Sequence, residues 1–584
     1  MIKNSVSDRN WILSKFDENK VKKATQELGV SEFLCRLLAI RNIDPEHSMD
    51  FLNPKIKNSM PNPFLLKSMD EAVNLIIEHI KKKSYICIYG DYDVDGASST
   101  SILARFLRNF TDSFFIFIPD RIKDGYGPNL KIFEEIASKK VNLIITVDCG
   151  TTSFEPIKYA NLKNIDVVVI DHHQSTEILP TANAIVNPNR FDETSSLTYL
   201  CAAGVVFLVL SGIITRLREE DFFKKKKILE PNLLNFLDLV ALGTVCDVVP
   251  LQGLNRAFVY QGLKVLQKRN NLGIKTLSDV ANINSKISTY HLGYIIGPKI
   301  NAGGRIGKSD HGANLLLTED PEVAFKISKE LNQLNEKRKN IESIVLEEAI
   351  KKGKNKDNNP VLVISSNTWH EGIIGIIASR LKDHFNKPTF IINFEGNNGK
   401  GSARSLPGFD IGSAVVRAQQ SSIIIKGGGH KMAAGFSIAR DKMNEFETFL
   451  INLFNKSDCK SSKEKDLYID SVLASSAVNE IFFDEIDRLA PFGSANREPR
   501  FVIENVSITK SLILKESHIR SFCKTSNNSK INLISFNSVN TPIGTYLLNA
   551  KNKKYDIAGR LSLNEWNGKR EVQFLLDDLA ISAE

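Results

Sequence analysis

The stretch Tyr85-Ile-Cys-Ile-Tyr-Gly90-Asp91-Tyr-Asp93-Val-Asp95-Gly96 begins as a short apolar run rich in β-branched and aromatic residues and ends in three carboxylates spaced two apart. The apolar part has the length and composition of a strand buried on both faces. Three like charges in one loop repel each other unless a cation sits among them. Hard divalent ions such as Mg²⁺ and Mn²⁺ prefer oxygen ligands, and Gly90 and Gly96 let the backbone bend tightly around one. A calcium loop of the EF-hand type would need a distal Glu and flanking helices, whereas a strand precedes this loop.

The pattern repeats outward from there. Phe114-Phe-Ile-Phe-Ile118, Leu143-Ile-Ile-Thr-Val147 and Val167-Val-Val-Ile170 read as further buried strands. Helical segments near 99–109, 130–139 and 155–163 separate them, so the order βαβαβαβ predicts a parallel sheet covered on both faces. Ligands of such sheets sit beyond the carboxyl ends of the strands. Two more strand ends carry ligating residues, Asp148-Cys-Gly150 and Asp171-His172-His173. A further acid, Asp247 in Gly243-Thr-Val-Cys-Asp247-Val-Val-Pro250, is embedded in apolar residues, where an unpaired charge is costly. Paired divalent ions sharing a carboxylate suit phosphoryl chemistry, which predicts hydrolysis of a phosphate ester or anhydride.

Beyond this region, helical sequence runs over about 199–267, interrupted by Lys224-Lys-Lys-Lys227, which reads as a solvated loop between helices. A long charged helix over about 321–352 leads to the breaker-rich Gly353-Lys-Asn-Lys-Asp-Asn-Asn-Pro360, a domain boundary. A second α/β unit follows from Val361 to about Phe454, then a polar linker over 455–465. Short alternating segments from Asp466 to about Ala580 predict a small β-barrel. The expected division is therefore an N-terminal segment, 1–70, packing on a catalytic domain, 71–310; a connecting helix, 311–355; a substrate-binding α/β domain, 356–455; and a barrel, 466–584.

Composition bounds the alternatives. A chain of 584 residues with 42% hydrophobic and 24% charged positions exceeds what one core organises. The formal charge of +9 favours polyanionic partners without identifying one. Seven scattered cysteines, with no Cys-x-x-Cys pair, suggest neither a disulfide framework nor structural zinc, and fit a reducing cytoplasm. Residues 1–20 lack an apolar leader core, and the apolar run Leu200–Thr215 is short for a membrane span and holds Gly204 and Gly212. The expectation is a soluble, unprocessed monomer.

Together, Asp91-x-Asp93-x-Asp95-Gly96, the strand-end Asp148, Asp171-His172-His173 and Gly-Thr-Val-x-Asp247 resemble, in order, the four motifs of the DHH phosphoesterase superfamily. Gly297-Pro-Lys-Ile-Asn-Ala-Gly-Gly-Arg305, Trp369-His-Glu-Gly-Ile-Ile-Gly375, Gly401-Ser-Ala-Arg-Ser405 and Gly427-Gly-Gly-His-Lys-Met-Ala-Ala-Gly435 resemble its single-strand-specific exonuclease branch. Pro491-Phe-Gly493 and Arg497-Glu-Pro499 extend that resemblance to the barrel, which is similar to an OB-fold. Pyrophosphatase members start their first motif with a ligating His; Tyr89 stands at the comparable place here, which favours the nuclease branch.

The resemblance implies two divalent cations, Mn²⁺ or Mg²⁺. Asp95, Asp148, His172 and Asp247 would hold one, and Asp93 with Asp148 the other, with Asp148 bridging. Asp91 would be a further ligand or a support, and His173 would contact the scissile phosphate or orient its neighbour. Ser402, Arg404, the Gly427–Gly428–Gly429–His430 stretch, Arg305 and Arg121 would anchor the substrate's 5′-phosphate. Trp369 and His370 would stack on a nucleotide or fill the core. Arg560, Trp566, Lys569 and Arg570 would track a strand along the barrel. The implied substrate is single-stranded DNA with a 5′ end, cleaved 5′→3′ to mononucleotides in repair and recombination, with a helicase and a single-strand-binding protein as partners. A hydrolase of short oligonucleotides or cyclic dinucleotides would need no barrel, and a non-catalytic binding member would have lost metal ligands that are all present here.

Overall fold

The computed structural model describes residues 5–121, 123–125, 127–457, 465–525, 527, 529–550, 553–566 and 569–582. Most of the polar linker read at 455–465 lies outside the described residues. The first sheet has five parallel strands in the spatial order Phe114–Phe117, Ile86–Gly90, Leu143–Val147, Asp166–Ile170, Ala184–Val186. Alternation divides its residues between two cores. Ile86, Ile88, Ile145, Val168 and Val186 pack under the helices Met69–Lys82, Val94–Leu107 and Ala202–Glu219. Cys87, Tyr89, Ile144, Val167 and Val169 pack under Leu130–Ser138 and Phe154–Leu162. Burial of each such Ile or Val contributes about 1.5–3 kcal/mol, so a polar residue at any of them would unseat a helix.

After Ile86–Gly90 the chain steps to one side, to Phe114–Phe117, and then to the other, to Leu143–Val147. The connections diverge between those two strand ends and leave a crevice there, the usual ligand position in a doubly wound sheet. Both ends carry acids. The fifth strand, Ala184–Val186, was not foreseen; three residues are too few to show a period.

The lysine run is not a loop: Lys224 to Lys226 form the end of a short helix, Phe222–Lys226, anchored by the buried Phe222. The 34-residue helix Pro321–Lys354 starts with Asp320 accepting from the amides of Glu322 and Val323, and with Pro321 where no amide is needed. Its Ala324 and Leu331 join the first core, and its Val345 and Ala349 pack with Ile373 and Ile377 of the second domain. That second domain is a five-stranded sheet in the order Lys426–His430, Ala433–Ala439, Asn398–Arg404, Thr389–Glu395, Leu362–Ser366.

Phe501–Leu514 pairs with both His518–Lys524 and Lys554–Trp566, closing a barrel with Lys530–Ser535 and Lys569–Ile581. The N-terminal segment is divided between two cores: Leu66 and Met69 lie in the first-domain core with Ile56, Met60 and Phe64 against it, while its earlier part joins the barrel, which was not expected. Arg9–Leu13 pairs in parallel with Lys465–Ile469, and Leu34, Leu37, Leu38 and Leu52 share a core with the barrel's Phe501, Ile557 and Leu579. The segment also meets the first domain at Phe51 and Pro54, whose carbonyls accept from Arg256 and Gln261. The hydrophobic run near residue 200 is the buried helix Ala202–Glu219, and no helix among the described residues is long and apolar enough to cross a membrane.

Candidate metal centre and facing cleft

The three acids of the opening motif do not share one loop. Asp91 follows the first strand, Asp93 caps the helix Val94–Leu107 by accepting from the amide of Gly96 at 3.0 Å, and Asp95 lies inside the first helical turn. The turn is tight enough that a Cβ on Gly96 would lie 2.5 Å from the Asp91 carbonyl oxygen. Both oxygens of Asp95 accept amides from the start of the helix Ala202–Glu219, Ala202 at 2.7 Å and Ala203 at 3.0 Å. A helix N-terminus favours a carboxylate there. On the opposite side the helix Leu237–Cys246 comes so close that a Cβ on Gly243 would stand 2.5 Å from Asp95 Oδ1.

Asp148 and Asp247 arrive from two other directions. Asp148 ends its strand with φ 62°, a left-handed conformation uncommon for a residue other than Gly. Its amide donates to the Ile170 carbonyl of the neighbouring strand. Asp247 terminates the helix Leu237–Cys246. His172 joins them: Nε2 is 3.2 Å from Asp148 Oδ1 and 3.9 Å from Asp95 Oδ2, and Nδ1 is 3.7 Å from Asp247 Oδ2. Two groups have their ligating atoms within 4.8 Å of one another, Asp95–His172–Asp247 and Asp91–Asp93–Asp148; Asp148 also groups with His172 and His173.

The two histidines are held by Asp171, which the sequence reading placed at this rim without this role, and by Thr151, Asn187 and Asn189, which it passed over. Asp171 accepts from Nδ1 of His173 at 2.8 Å, from the amides of His172 and His173, and from both the amide and hydroxyl of Thr151. Asn187, fully buried at the end of the short fifth strand, donates to Thr151 Oγ1 and to the His173 carbonyl, each at 2.8 Å. Asn189 donates to the His172 carbonyl. The available signal was the polar Asn187-Pro-Asn189 directly after Ala184-Ile-Val186.

Without a cation the site is electrostatically frustrated. Burial, then repulsion from Asp93, holds the carboxyls of Asp91 and Asp95 above the usual range. Burial and the neighbouring acids, Asp95 foremost, do the same to Asp148 and Asp247. Among the described residues Asp91 Oδ1 is buried with no hydrogen-bond partner. Burial lowers His172 to about 4, which leaves a neutral imidazole. His173 moves the other way: burial opposes its charge, but the hydrogen bond and charge of Asp171 hold it up at about 9. Crowded carboxylate oxygens, an unsatisfied one among them, plus one neutral imidazole form a donor set suited to Mn²⁺ or Mg²⁺.

A group of cations lies within electrostatic reach of these acids, Arg121 of Asp91 and Arg305 of Asp93. The Arg121 guanidinium sits 5.0 Å over the Tyr92 ring. Arg305 is pushed down to about 10 by burial and then by the charges of Arg121 and Arg338, and its Nη1 donates to the Gly372 carbonyl of the second domain. Burial and the Arg121 charge lower Arg404, whose Nη1 is 3.3 Å from Ser402 Oγ. Among the described residues Arg121, Arg305 and Arg404 form no ion pair. A Cβ on Gly375 would be 3.1 Å from Ser402 Oγ and 3.3 Å from Arg404 Nη2, so that glycine keeps space open over the pair. Gly428 and Gly429 lie on an edge strand, Lys426–His430, rather than in a loop, and a Cβ on Gly428 would meet nothing within 4 Å. His430 is lowered by burial and by the charge of His173, which brings this strand near the metal rim.

Two expected groups lie elsewhere. Trp369 is buried in the second core with its indole donating to Glu348, and His370 Nδ1 accepts from the Gly372 amide at a helix start, so neither is placed for stacking on a base. Arg560 pairs with Glu498 and Asp577, and Arg570 with Glu480, Asp484 and Glu565, so the barrel's own acids occupy both guanidiniums. The Trp566 side chain lies outside the described residues.

Such a fold and rim define a divalent-cation phosphoesterase of the DHH class, and the DHH family N-terminal domain matches residues 85–244, the DHHA1 domain 358–456 and the RecJ OB domain 469–578. The single-stranded-DNA-specific exonuclease RecJ of Haemophilus influenzae is 34% identical over 563 residues, covering 93% of this chain and 95% of that protein. The Escherichia coli protein of the same name is 31% identical over 559 residues, covering 94% and 95%. The crystal structure of RecJ from Thermus thermophilus in complex with Mn²⁺ superposes with a TM-score of 0.81 at 25% identity, covering 99% of this chain and 80% of that one. The chain belongs to the RecJ family.

Proposed function

We propose that the protein is a single-stranded-DNA-specific exonuclease that hydrolyses phosphodiester bonds from the 5′ end and releases 5′-mononucleotides. The observation that carries this reading is a pair of adjacent ligating groups at one rim, one of three carboxylates and one of two carboxylates and an imidazole, with arginines nearby that form no ion pair among the described residues. Asp91, Asp93 and Asp148 would hold one divalent cation, Mn²⁺ or Mg²⁺, and Asp95, His172 and Asp247 the other, with Asp148 near both. Bound there, the two ions supply an activated water and offset charge on the phosphate.

The remaining chemistry belongs to the chain. His173, its Nδ1–H donating to Asp171, is oriented to present Nε2 to a non-bridging oxygen of the scissile phosphate. Ser402, Arg404, Arg305 and Arg121 grip the terminal phosphate, and the open backbone at Gly428 admits it closely. Buried guanidiniums gain more from a dianionic phosphate than solvated ones do, so an end bearing a phosphate is preferred. The family assignment supports the 5′→3′ direction and a single-stranded DNA substrate. On this reading the protein works as a monomer in the cytoplasm, in repair and recombination, on strands that a helicase exposes and a single-strand-binding protein covers. The test is incubation with Mn²⁺ and single- or double-stranded DNA labelled at either end. Mononucleotides leaving only single-stranded 5′ ends are expected; retention of DNA without cleavage would refute the proposal.

A further inference from the structure

Tyr89 stands where pyrophosphatase members of the superfamily carry a ligating His, and its side chain does something else. The ring is fully buried, stacked on Phe117 at a centroid distance of 5.6 Å and packed against Phe133 at 6.0 Å. Its hydroxyl donates to the carbonyl of Gly127 at 2.9 Å. Burial raises the phenol above its ordinary range, so it stays a neutral donor.

Gly127 belongs to the connection between the strand Phe114–Phe117 and the helix Leu130–Ser138, which also carries Arg121. This connection is organised internally: Asp124 donates its amide to the Asp120 carbonyl at 2.8 Å, Asp124 Oδ2 accepts the Asp120 amide at 2.7 Å, and Asn129 Nδ2 donates to the Asp124 carbonyl at 3.2 Å. Among the described residues, hydrogen bonds at both ends fasten it to the domain. The Arg121 amide donates to Ser309 Oγ at 3.3 Å near one end, and Tyr89 holds Gly127 near the other. Gly127 takes φ 73°, a left-handed conformation that turns its carbonyl at little cost.

Fastening matters because the loop carries a cation toward other cations. The Arg121 charge depresses both Arg305 and Arg404, so before substrate arrives these three groups repel one another. A loop held only by its covalent ends would swing Arg121 outward, and the substrate would have to pay for its return. We infer that Tyr89 is a positioning residue for terminal-phosphate recognition, its hydroxyl locking the loop that presents Arg121 to the phosphate. The inference rests on the reading of Arg121 as a phosphate anchor.

Tyr89→Phe removes one oxygen and keeps the packed ring. In the full chain with Mn²⁺, KM for a 5′-phosphorylated single strand should rise about fivefold, the loss of one neutral hydrogen bond. Turnover at saturation, KM for a 5′-hydroxyl strand and Mn²⁺ affinity should stay unchanged, and amide hydrogen exchange should quicken within residues 118–129. Ser309→Ala, at the other tether, should narrow the preference for phosphorylated ends in the same way. Arg121→Ala run alongside separates the two claims. If it narrows the preference and Tyr89→Phe does not, or if Tyr89→Phe weakens Mn²⁺ binding, the tether is wrong. If Arg121→Ala leaves the preference intact, the anchor reading fails and the tether falls with it.

Discussion

Asp171 accepts a hydrogen bond from Nδ1 of His173 at 2.8 Å while also receiving both histidine amides and the Thr151 hydroxyl. The first residue of the Asp-His-His motif therefore holds its two neighbours in place, and Asn187 and Asn189 secure their carbonyls from the other side. Groups that orient a ligand typically contribute about 10- to 100-fold to metal affinity or activity. Asp171→Ala should lower Mn²⁺ affinity by that order and turnover with it, measured by paramagnetic-resonance titration and single-turnover rates. Unchanged affinity would show that the histidines are held by other means.

Asp148 sits where function and stability oppose each other. Burial, then repulsion from Asp95, Asp93, Asp91 and Asp247, acts against its charge when no cation is bound. Asn tolerates the left-handed backbone of this position, so Asp148→Asn isolates the charge. Chelated protein carrying this change should melt a few degrees higher than the chelated parent, lose most of the thermal shift on adding Mn²⁺, and turn over about 10³-fold more slowly or worse. Calorimetry and a nuclease assay check all three, and a lower melting temperature in chelator would contradict the frustrated-site account.

Arg404 lies beside Ser402, within electrostatic reach of Arg121 and without an acidic partner among the described residues. Arg404→Ala should raise KM for 5′-phosphorylated single strands by about 10-fold or more, as expected for a charge-assisted contact, and change KM for 5′-hydroxyl strands far less. Equal losses on both ends, in steady-state kinetics, would remove Arg404 from the terminal-phosphate site.

Asp238, outside the metal centre, gives a pH signature. It is 4% exposed, and burial, only partly offset by the Leu239 amide and Arg105, pushes its carboxyl up to about 6. Because the folded value lies above the unfolded one, the native chain holds the extra proton between about pH 4 and 6. The stability from this group is complete below that window, is lost as pH rises through it, and is constant above. Asp238→Asn should therefore exceed the parent in stability by about 2–3 kcal/mol at pH 7.5, with the gap narrowing toward pH 4. Urea midpoints at both ends of the range measure it, and a pH-independent gap would count against the assignment.

The legible features share a cause: each is local. Strands such as Leu143–Val147 are unbroken apolar runs, and Asp148, His172 and Asp247 stand out because polar residues interrupt such runs at their ends. What could not be read depends on partners far along the chain. Asp95 meets the amides of Ala202 and Ala203 only after the sheet and the following helix have assembled. Arg9–Leu13 pairs with Lys465–Ile469 across most of the sequence, so the N-terminal segment gave no sign that its leucines complete the barrel core. Arg560 and Arg570 read as free cations because Glu498, Asp577 and Asp484 approach them only in the folded barrel.

The account depends most on two cations lodging between the four converging segments. Anomalous diffraction from a crystal soaked in Mn²⁺ locates them directly. It should give two peaks, one among Asp91, Asp93 and Asp148 and one among Asp95, His172 and Asp247. A map with no peak at this rim, or with Mn²⁺ bound only at other acids, would contradict it.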